Sequence, residues 1–239
     1  SLAQKDLIEM ISQTIFAVSD DETRYFMNGV YLEKKEDGLI MVATDGRRLS
    51  FIQKPYESNV PDFDPVIIPP KVLTIVRKLI SGEGNIDLAV SEKYIFFRFE
   101  GQSIFSNLIE GQFPNYGRVI PETQENSIKV DKKDFMEALK RVSLLVEQKS
   151  RRIYLSVNGD VLLLKSEESD IGIAKEEVAC EFSGPETNIA LNYVYLEEPL
   201  KVMDEKAISI QFTEPTKAIT LLSDPNKDYL HIVMPMQID

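Results

Sequence analysis

The sequence is poor in the residues that carry most redox and hydrolytic chemistry. In 239 residues it has one cysteine, Cys180, and one histidine, His231. A lone cysteine excludes an intramolecular disulfide and any Cys-x-x-Cys metal or redox motif, and it suits a reducing cytoplasm. A lone histidine excludes a multi-histidine metal site, and no Ser-His-Asp or Cys-His arrangement is expected without a second candidate base. His231 lies among Tyr229, Leu230, Ile232 and Val233, and Cys180 stands in a strand-like run before Phe182, so both read as structural residues. Neither phosphate-cradling pattern, GxxxxGK(S/T) or GxGxxG, occurs. No metal or cofactor is expected. No apolar run approaches the roughly 20 residues that span a bilayer, and no secretory pattern opens the sequence, so a cytoplasmic protein without membrane association is expected. An initiator Met is missing, and a helical pattern starts almost at Ser1, which points to a piece of a longer chain.

Carboxylates, by contrast, are abundant: 39 Asp and Glu face 27 Lys and Arg, for a net charge of -12. Such a balance opposes indiscriminate wrapping of nucleic acid. The distribution is uneven. The helical windows 3–18, 70–81, 131–152 and 192–206 carry net -1, +3, +3 and -2, which leaves -15 for the strands and loops. Pairs such as Asp20-Asp21, Glu167-Glu168 and Glu197-Glu198 fall at turns or helix surfaces, where solvated charge is the plain reading. They also leave open a carboxylate-dependent enzyme on a duplicated α+β scaffold.

The apolar pattern alternates between two periods. Leu7, Ile8, Ile11, Ile15 and Val18 give the first window one apolar face. Residues 24–32 read as a strand, followed by strands at 39–43 and 49–53 and a short strand at 66–68. Pro69-Pro70 suits a helix start, and Val72, Leu73, Val76, Leu79 and Ile80 supply the buried side of 70–81. Strands follow at 86–90, 94–99 and 103–109. The Pro- and Gly-bounded segment 111–121 is then taken as a boundary, giving domains 1–121 and 122–239.

The second half repeats the first. Lys133-Asp134-Phe135 answers Lys5-Asp6-Leu7 at an offset of 128, with Phe135, Leu139, Val142 and Leu145 or Val146 as its stripe. Arg152-Ile153-Tyr154-Leu155 answers Arg24-Tyr25-Phe26-Met27 at the same offset, and Asn188-Ile189-Ala190 answers Val66-Ile67-Ile68 at 122. Strands at 160–165, 170–181, 207–213, 217–223 and 229–234 complete the half, and Pro199 is expected to kink or split the last helix near Glu198. Each half thus reads as helix, three strands, short strand, helix, three strands. A period above 100 residues means duplicated domains, here of α+β class with two helices packed on antiparallel sheets.

The chain is organised around Val42-Ala43-Thr44-Asp45-Gly46-Arg47-Arg48-Leu49, where an Asp-Gly turn joins two strand-like runs. Ordinary hairpins do not need the two arginines that follow. With Arg24-Tyr25-Phe26-Met27-Asn28-Gly29, Gly111-Gln112-Phe113-Pro114-Asn115-Tyr116, Arg118-Val119-Ile120-Pro121 and Val233-Met234-Pro235-Met236, this stretch resembles, in order and spacing, the bacterial sliding clamp family, the β subunits of DNA polymerase III. The resemblance covers essentially the whole chain.

It implies tandem clamp domains, the second and third of three, with the N-terminal one absent. In that family two protomers close head to tail around duplex DNA, with helices lining the hole, which matches the charge asymmetry. It also implies a non-catalytic processivity factor that tethers polymerases and the clamp loader through a peptide pocket between these two domains. Carried over by residue, the pocket uses Met27, Thr44, Gly46, Arg47, Leu49, Pro114, Arg118, Val119, Val233, Met234, Pro235 and Met236. Methionines adapt to varied apolar peptides, prolines stiffen walls, and Gly46 admits close backbone approach. Arg24, Tyr25 and Phe26 match a DNA-contacting loop, and Leu144 and Leu145 match half of the protomer interface. Lacking the other half, the chain is expected to be monomeric, whereas the full-length protein forms a homodimeric ring. Arg47 replaces the His of some relatives, and the ending Gln237-Ile238-Asp239 puts a carboxylate at the pocket rim, so peptide preference is expected to differ.

Overall fold

The computed structural model describes residues 1–56 and 60–237. It divides into two compact units, Ser1–Tyr116 and Gly117–Asp239, the break falling inside the Pro- and Gly-bounded segment 111–121. Both units follow one order of elements. Unit 1 runs β1 (Leu2–Ala3), α1 (Gln4–Ser12), β2 (Val30–Lys35), β3 (Gly38–Thr44), β4 (Arg48–Lys54), β5 (Val66–Ile68), α2 (Pro70–Leu79), β6 (Asn85–Val90), β7 (Tyr94–Phe99) and β8 (Gln102–Asn107). Unit 2 runs β9 (Asn126–Asp131), α3 (Lys132–Ser143), β10 (Arg152–Asn158), β11 (Val161–Ser166), β12 (Lys175–Glu181), β13 (Thr187–Asn192), α4 (Tyr193–Leu200), β14 (Ala207–Phe212), β15 (Ile219–Asp224) and β16 (Tyr229–Val233). The duplicated α+β architecture is therefore present, with one leading strand per unit that the sequence pattern did not announce.

In unit 1 the strands form two antiparallel sheets, ordered β1-β6-β7-β8 and β4-β3-β2-β5. In unit 2 the order is β13-β10-β11-β12-β9-β14-β15-β16, with β12 and β9 joined only through Cys180↔Val130 and Glu181↔Lys129. Helices pack within each unit, α1 on α2 and β4, α3 on α4 and β12. Leu7, Met10, Ile11, Leu73 and Val76 build the helix side of the first core, and Phe135, Leu139, Val142 and Leu196 that of the second. Asp131 caps α3 by accepting from Asp134 N at 3.0 Å, and Asn192 caps α4 through Val194 N at 3.0 Å.

Several expected boundaries move for identifiable reasons. The first helix stops at Ser12: Thr14 leaves helical geometry at φ -124°, and its hydroxyl turns back to Met10 O at 2.7 Å. Ile15 and Val18 consequently leave the expected stripe, which Met10 joins. Residues 24–27 belong to a 3-10 segment, Glu22–Met27, and not to a strand. Asp21 caps it by accepting from Thr23 N at 2.9 Å, which outweighs the β preference of Tyr25 and Phe26. The offset-128 partners thus differ locally, since Arg152–Leu155 do lie in a strand. Strand character begins at Lys175 rather than 170, because Ser169 and Gly172 close a tight turn with two backbone hydrogen bonds, at 3.2 and 3.0 Å. Leu79 is half exposed at the end of α2, while Ile80 is buried beyond it. Helix α3 ends at Ser143, and Val146 completes the buried stripe from outside the helix. Helix α4 runs unbroken from Tyr193 to Leu200, short of the expected 206, so Pro199 does not split it. The proline sits in the last turn, one residue before the helix ends, and is buried there.

Candidate functional site

The hairpin between β3 and β4 supplies four of the expected residues, and its turn is built by Asp45. Thr44 faces Leu49 across the ladder. The Thr44 hydroxyl donates to Arg48 O at 2.6 Å and accepts from Gly46 N at 3.1 Å. Asp45 Oδ1 accepts from the backbone N of Arg47 and Arg48 at 2.9 and 3.0 Å, and Oδ2 accepts from Arg48 Nε at 3.1 Å. Arg48 Nη2 donates to Phe16 O at 2.7 Å, and the guanidinium lies 5.6 Å from the centre of the Phe16 ring. The two arginines therefore separate in role. Arg48 is a buried strut inside unit 1, whereas Arg47 projects from the turn with its side chain exposed. Asp at the turn and Arg three residues on was the signal that would have found the strut.

Met27 and Leu49 are buried, whereas Gly46 and Arg47 are exposed. Gly46 has φ +86°, the left-handed region that glycine tolerates. Arg24 reaches the same turn: a Cβ added to Gly46 would lie 2.8 Å from Arg24 Nη1. The fold thus brings Arg24, one of the expected DNA-contacting residues, beside the expected peptide-contacting hairpin. Tyr25 is 53% exposed and meets Phe26 edge to face at 5.8 Å. Asp21 fastens this segment, pairing with Arg24 Nε at 2.8 Å and accepting from the Thr23 hydroxyl at 2.6 Å. That hydroxyl, and then Arg24, hold the Asp21 carboxyl at about 2.

Pro114, in unit 1, precedes Tyr116, whose hydroxyl donates to Glu33 Oε2 at 2.6 Å. Burial and then that carboxylate push the Tyr116 phenol well above its usual range. In unit 2, Arg118 ends a single 3-10 turn, and it and Val119 are exposed. Val233 closes β16 and is buried, Met234 is exposed, and Met236 N donates to Ala190 O of β13 at 2.8 Å. The trailing segment therefore ties the last strand of the order back to the first and does not fray. Ala190 was not among the sequence-derived candidates. Unit 1 repeats the clasp, with Ile109 N donating to Ile67 O of β5 at 2.9 Å. Leu144 is 78% exposed just past α3, and Leu145 is half-buried. The expected carboxylate of Asp239 lies outside the described residues.

The remaining chemistry-bearing residues have structural surroundings. His231 is fully buried in β16 opposite Leu221. Cys180 is buried in β12, and burial raises its thiol pKa. Glu167 pairs with Arg152 at 3.1 Å and Glu197 with Lys201 at 2.9 Å. Among the described residues, no three His, Cys, Asp or Glu side chains gather closely enough to hold a metal ion. Among the described residues, no helix is long and apolar enough to cross a membrane.

Two successive α+β units sharing one order of elements, each closed by its own trailing segment, define a tandem clamp-type architecture. Residues 1–115 match the family described as DNA polymerase III beta subunit, central domain, and residues 117–237 match its C-terminal domain. The chain belongs to the DNA polymerase III beta subunit family. It is 50% identical over 238 residues to the beta sliding clamp of Treponema pallidum, covering 98% of this chain and 64% of that protein. Among solved structures, the DNA polymerase III subunit beta of Pseudomonas aeruginosa superposes with a TM-score of 0.95 at 28% identity, over 99% of this chain and 66% of that one. The subunit from Borrelia burgdorferi, solved in complex with a natural product, gives 0.93 at 28% identity, over 100% and 62%. The chain thus spans a little under two thirds of the length of its curated relatives.

Proposed function

We propose that this chain provides the middle and C-terminal domains of a sliding clamp, a non-catalytic, cytoplasmic processivity factor that encircles duplex DNA in its complete ring. Retention on DNA is then topological: a closed ring stays on the duplex even when each contact is weak. Polymerase and clamp-loader subunits are held through short peptides. The peptide surface comprises Met27, Thr44, Gly46, Arg47, Leu49 and Pro114 from unit 1, with Arg118, Val119, Val233, Met234, Pro235 and Met236 from unit 2. Arg24, Tyr25 and Phe26 face DNA, and Leu144 and Leu145 belong to the protomer interface. Taken by themselves, these two units are monomeric.

The observation that carries this reading is the match of both units, in order, to the two successive domains of one family. The hairpin geometry supports it: Asp45 and Arg48 hold a turn on which Gly46 and Arg47 are exposed. The relatives' names speak for a clamp and not for a carboxylate-dependent enzyme.

A fluorescently labelled clamp-binding peptide tests the surface. Binding in the micromolar range that Met234→Ala or Leu49→Ala weakens, with folding checked by circular dichroism, is expected. A folded sample that binds no such peptide would sink the proposal. Light scattering tests the monomer, and a stable symmetric dimer would contradict it.

A further inference from the structure

A second surface lies on unit 1, centred on strands β7 and β8, which carry none of the residues assigned above. Strand β7 alternates strictly, sending Ile95, Phe97 and Phe99 inward and Tyr94, Phe96 and Arg98 outward. Phe96 faces Phe105 of β8 across the ladder, and the small Ala89 of β6 stands on the other side of Phe96. The outward face therefore carries three rings, Tyr94, Phe96 and Phe105, which are 40%, 43% and 67% exposed. Their centroids are 6.0 to 6.4 Å apart, with Phe96 and Phe105 stacked at 27°. Such rings on a solvent face add nothing to the core, and contiguous exposed apolar patches mark interaction sites.

Tyr94 also lines a cleft of about 380 Å³, within the range of small-ligand pockets. Tyr31, Ile67, Ile109 and Phe113 contribute its apolar walls, with Tyr31 and Phe113 stacked at 4.7 Å. Its charged lining is Glu92 and Glu110 against Lys93 alone. On the ring face itself, Arg98 pairs with Asp87 at 3.4 Å. A carboxylate excess beside an aromatic ladder, on a chain of net charge -12, favours a cation over a phosphate.

We propose that this ladder and cleft form a second peptide-docking surface, which takes an extended segment of a partner protein carrying large apolar residues next to a Lys or Arg. The apolar residues lie across Phe96 and Phe105, and the cation enters the cleft between Glu92 and Glu110. Three rings fall far short of the roughly 1,200 Å² of a stable homodimer, which argues against a second copy. The proposal does not rest on the peptide surface formed around Arg47 and Met234.

Selection of phage-displayed random dodecapeptides on the 239-residue chain tests it. Enriched clones should pair aromatic, Leu or Pro residues with Lys or Arg. Their binding should fall at least about tenfold with Phe105→Ser or Phe96→Thr, and likewise with Glu92→Lys combined with Glu110→Lys. Met234→Ala should leave them unchanged, which separates them from clones for the other surface. All four positions are solvent-facing or cleft-lining, and circular dichroism checks each fold. Four results would overturn the proposal: clones insensitive to Phe105→Ser and Phe96→Thr, an acidic consensus, a concentration-dependent dimer dissolved by Phe105→Ser, or clones that bind this chain but not the full-length protein.

Discussion

Arg24 and Gly46 share one space, since the guanidinium Nη1 lies 2.8 Å from where a side chain on Gly46 would begin. The contact is with the end of a long, flexible side chain, so Arg24 can rotate away at little cost. The backbone cannot adapt so easily, because φ at Gly46 is +86°. Gly46→Ala should therefore destabilise unit 1 by about 1 kcal/mol, almost all of it from the backbone. Urea denaturation checks this. A loss several times larger would mean that Arg24 is held more rigidly than its exposure allows.

Asp45 and Arg47 are neighbours with opposite expected phenotypes. Asp45→Ala removes three hydrogen bonds and the carboxylate partner of the buried Arg48, for a cost of about 2 kcal/mol or more. Arg47→Ala removes an exposed side chain and should change stability by less than about 0.5 kcal/mol while weakening partner-peptide binding. Thermal unfolding and peptide titration on the two variants separate the effects. Unchanged peptide binding after Arg47→Ala would return that residue to an ordinary surface charge.

The Asp21 carboxyl should titrate at about 2 against a usual 3.8. A pKa lowered in the folded state stabilises the turn above the unfolded value and loses that stabilisation as pH falls through the folded one. The 3-10 segment Glu22–Met27 should hence loosen between about pH 4 and pH 2. The Thr23 hydroxyl is the largest cause, and Arg24 adds both a hydrogen bond and its charge, so Thr23→Val and Arg24→Ala should each raise the Asp21 pKa. Carboxyl chemical shifts followed by NMR would show both rises, and an Asp21 pKa unmoved by either change would refute this account.

Tyr116→Phe leaves the ring contacts with Tyr31 and Phe51 in place but removes the 2.6 Å hydrogen bond to Glu33. The acceptor is charged and the site half-buried, so a loss of about 1–2 kcal/mol is expected by equilibrium denaturation. A neutral result would mean that Lys35, 3.7 Å from the same carboxylate, satisfies Glu33 alone.

The hairpin 38–54 was legible because two signals agreed, an Asp-Gly turn and β-rich flanks on both sides. The Glu22–Met27 segment was not, because Tyr25, Phe26 and Met27 read as strand while one side chain, Asp21, decides the geometry. Strand β9 was missed for a related reason: Asn126–Asp131 has only Ile128 and Val130 as apolar residues, and their pairing with β14 lies about 80 residues away in sequence. Family motifs pointed to Arg47 and Met236. The strut through Arg48 and the clasp on Ala190 became visible only as distances, since neither Phe16 O nor Ala190 O has a side-chain signature.

The two clasps, Ile109 on Ile67 and Met236 on Ala190, have a consequence for synthesis. Strands β5 and β13 each stand at the end of a strand order, where open backbone groups can pair with a foreign chain. In each unit the covering residue belongs to the trailing segment, which is made after all its strands. As a nascent chain folds domain by domain, each unit keeps a sticky edge until its final residues leave the ribosome. A translational pause that holds Ile109 or Met236 inside the ribosome would prolong that exposure, and a pause after the residue has emerged would not.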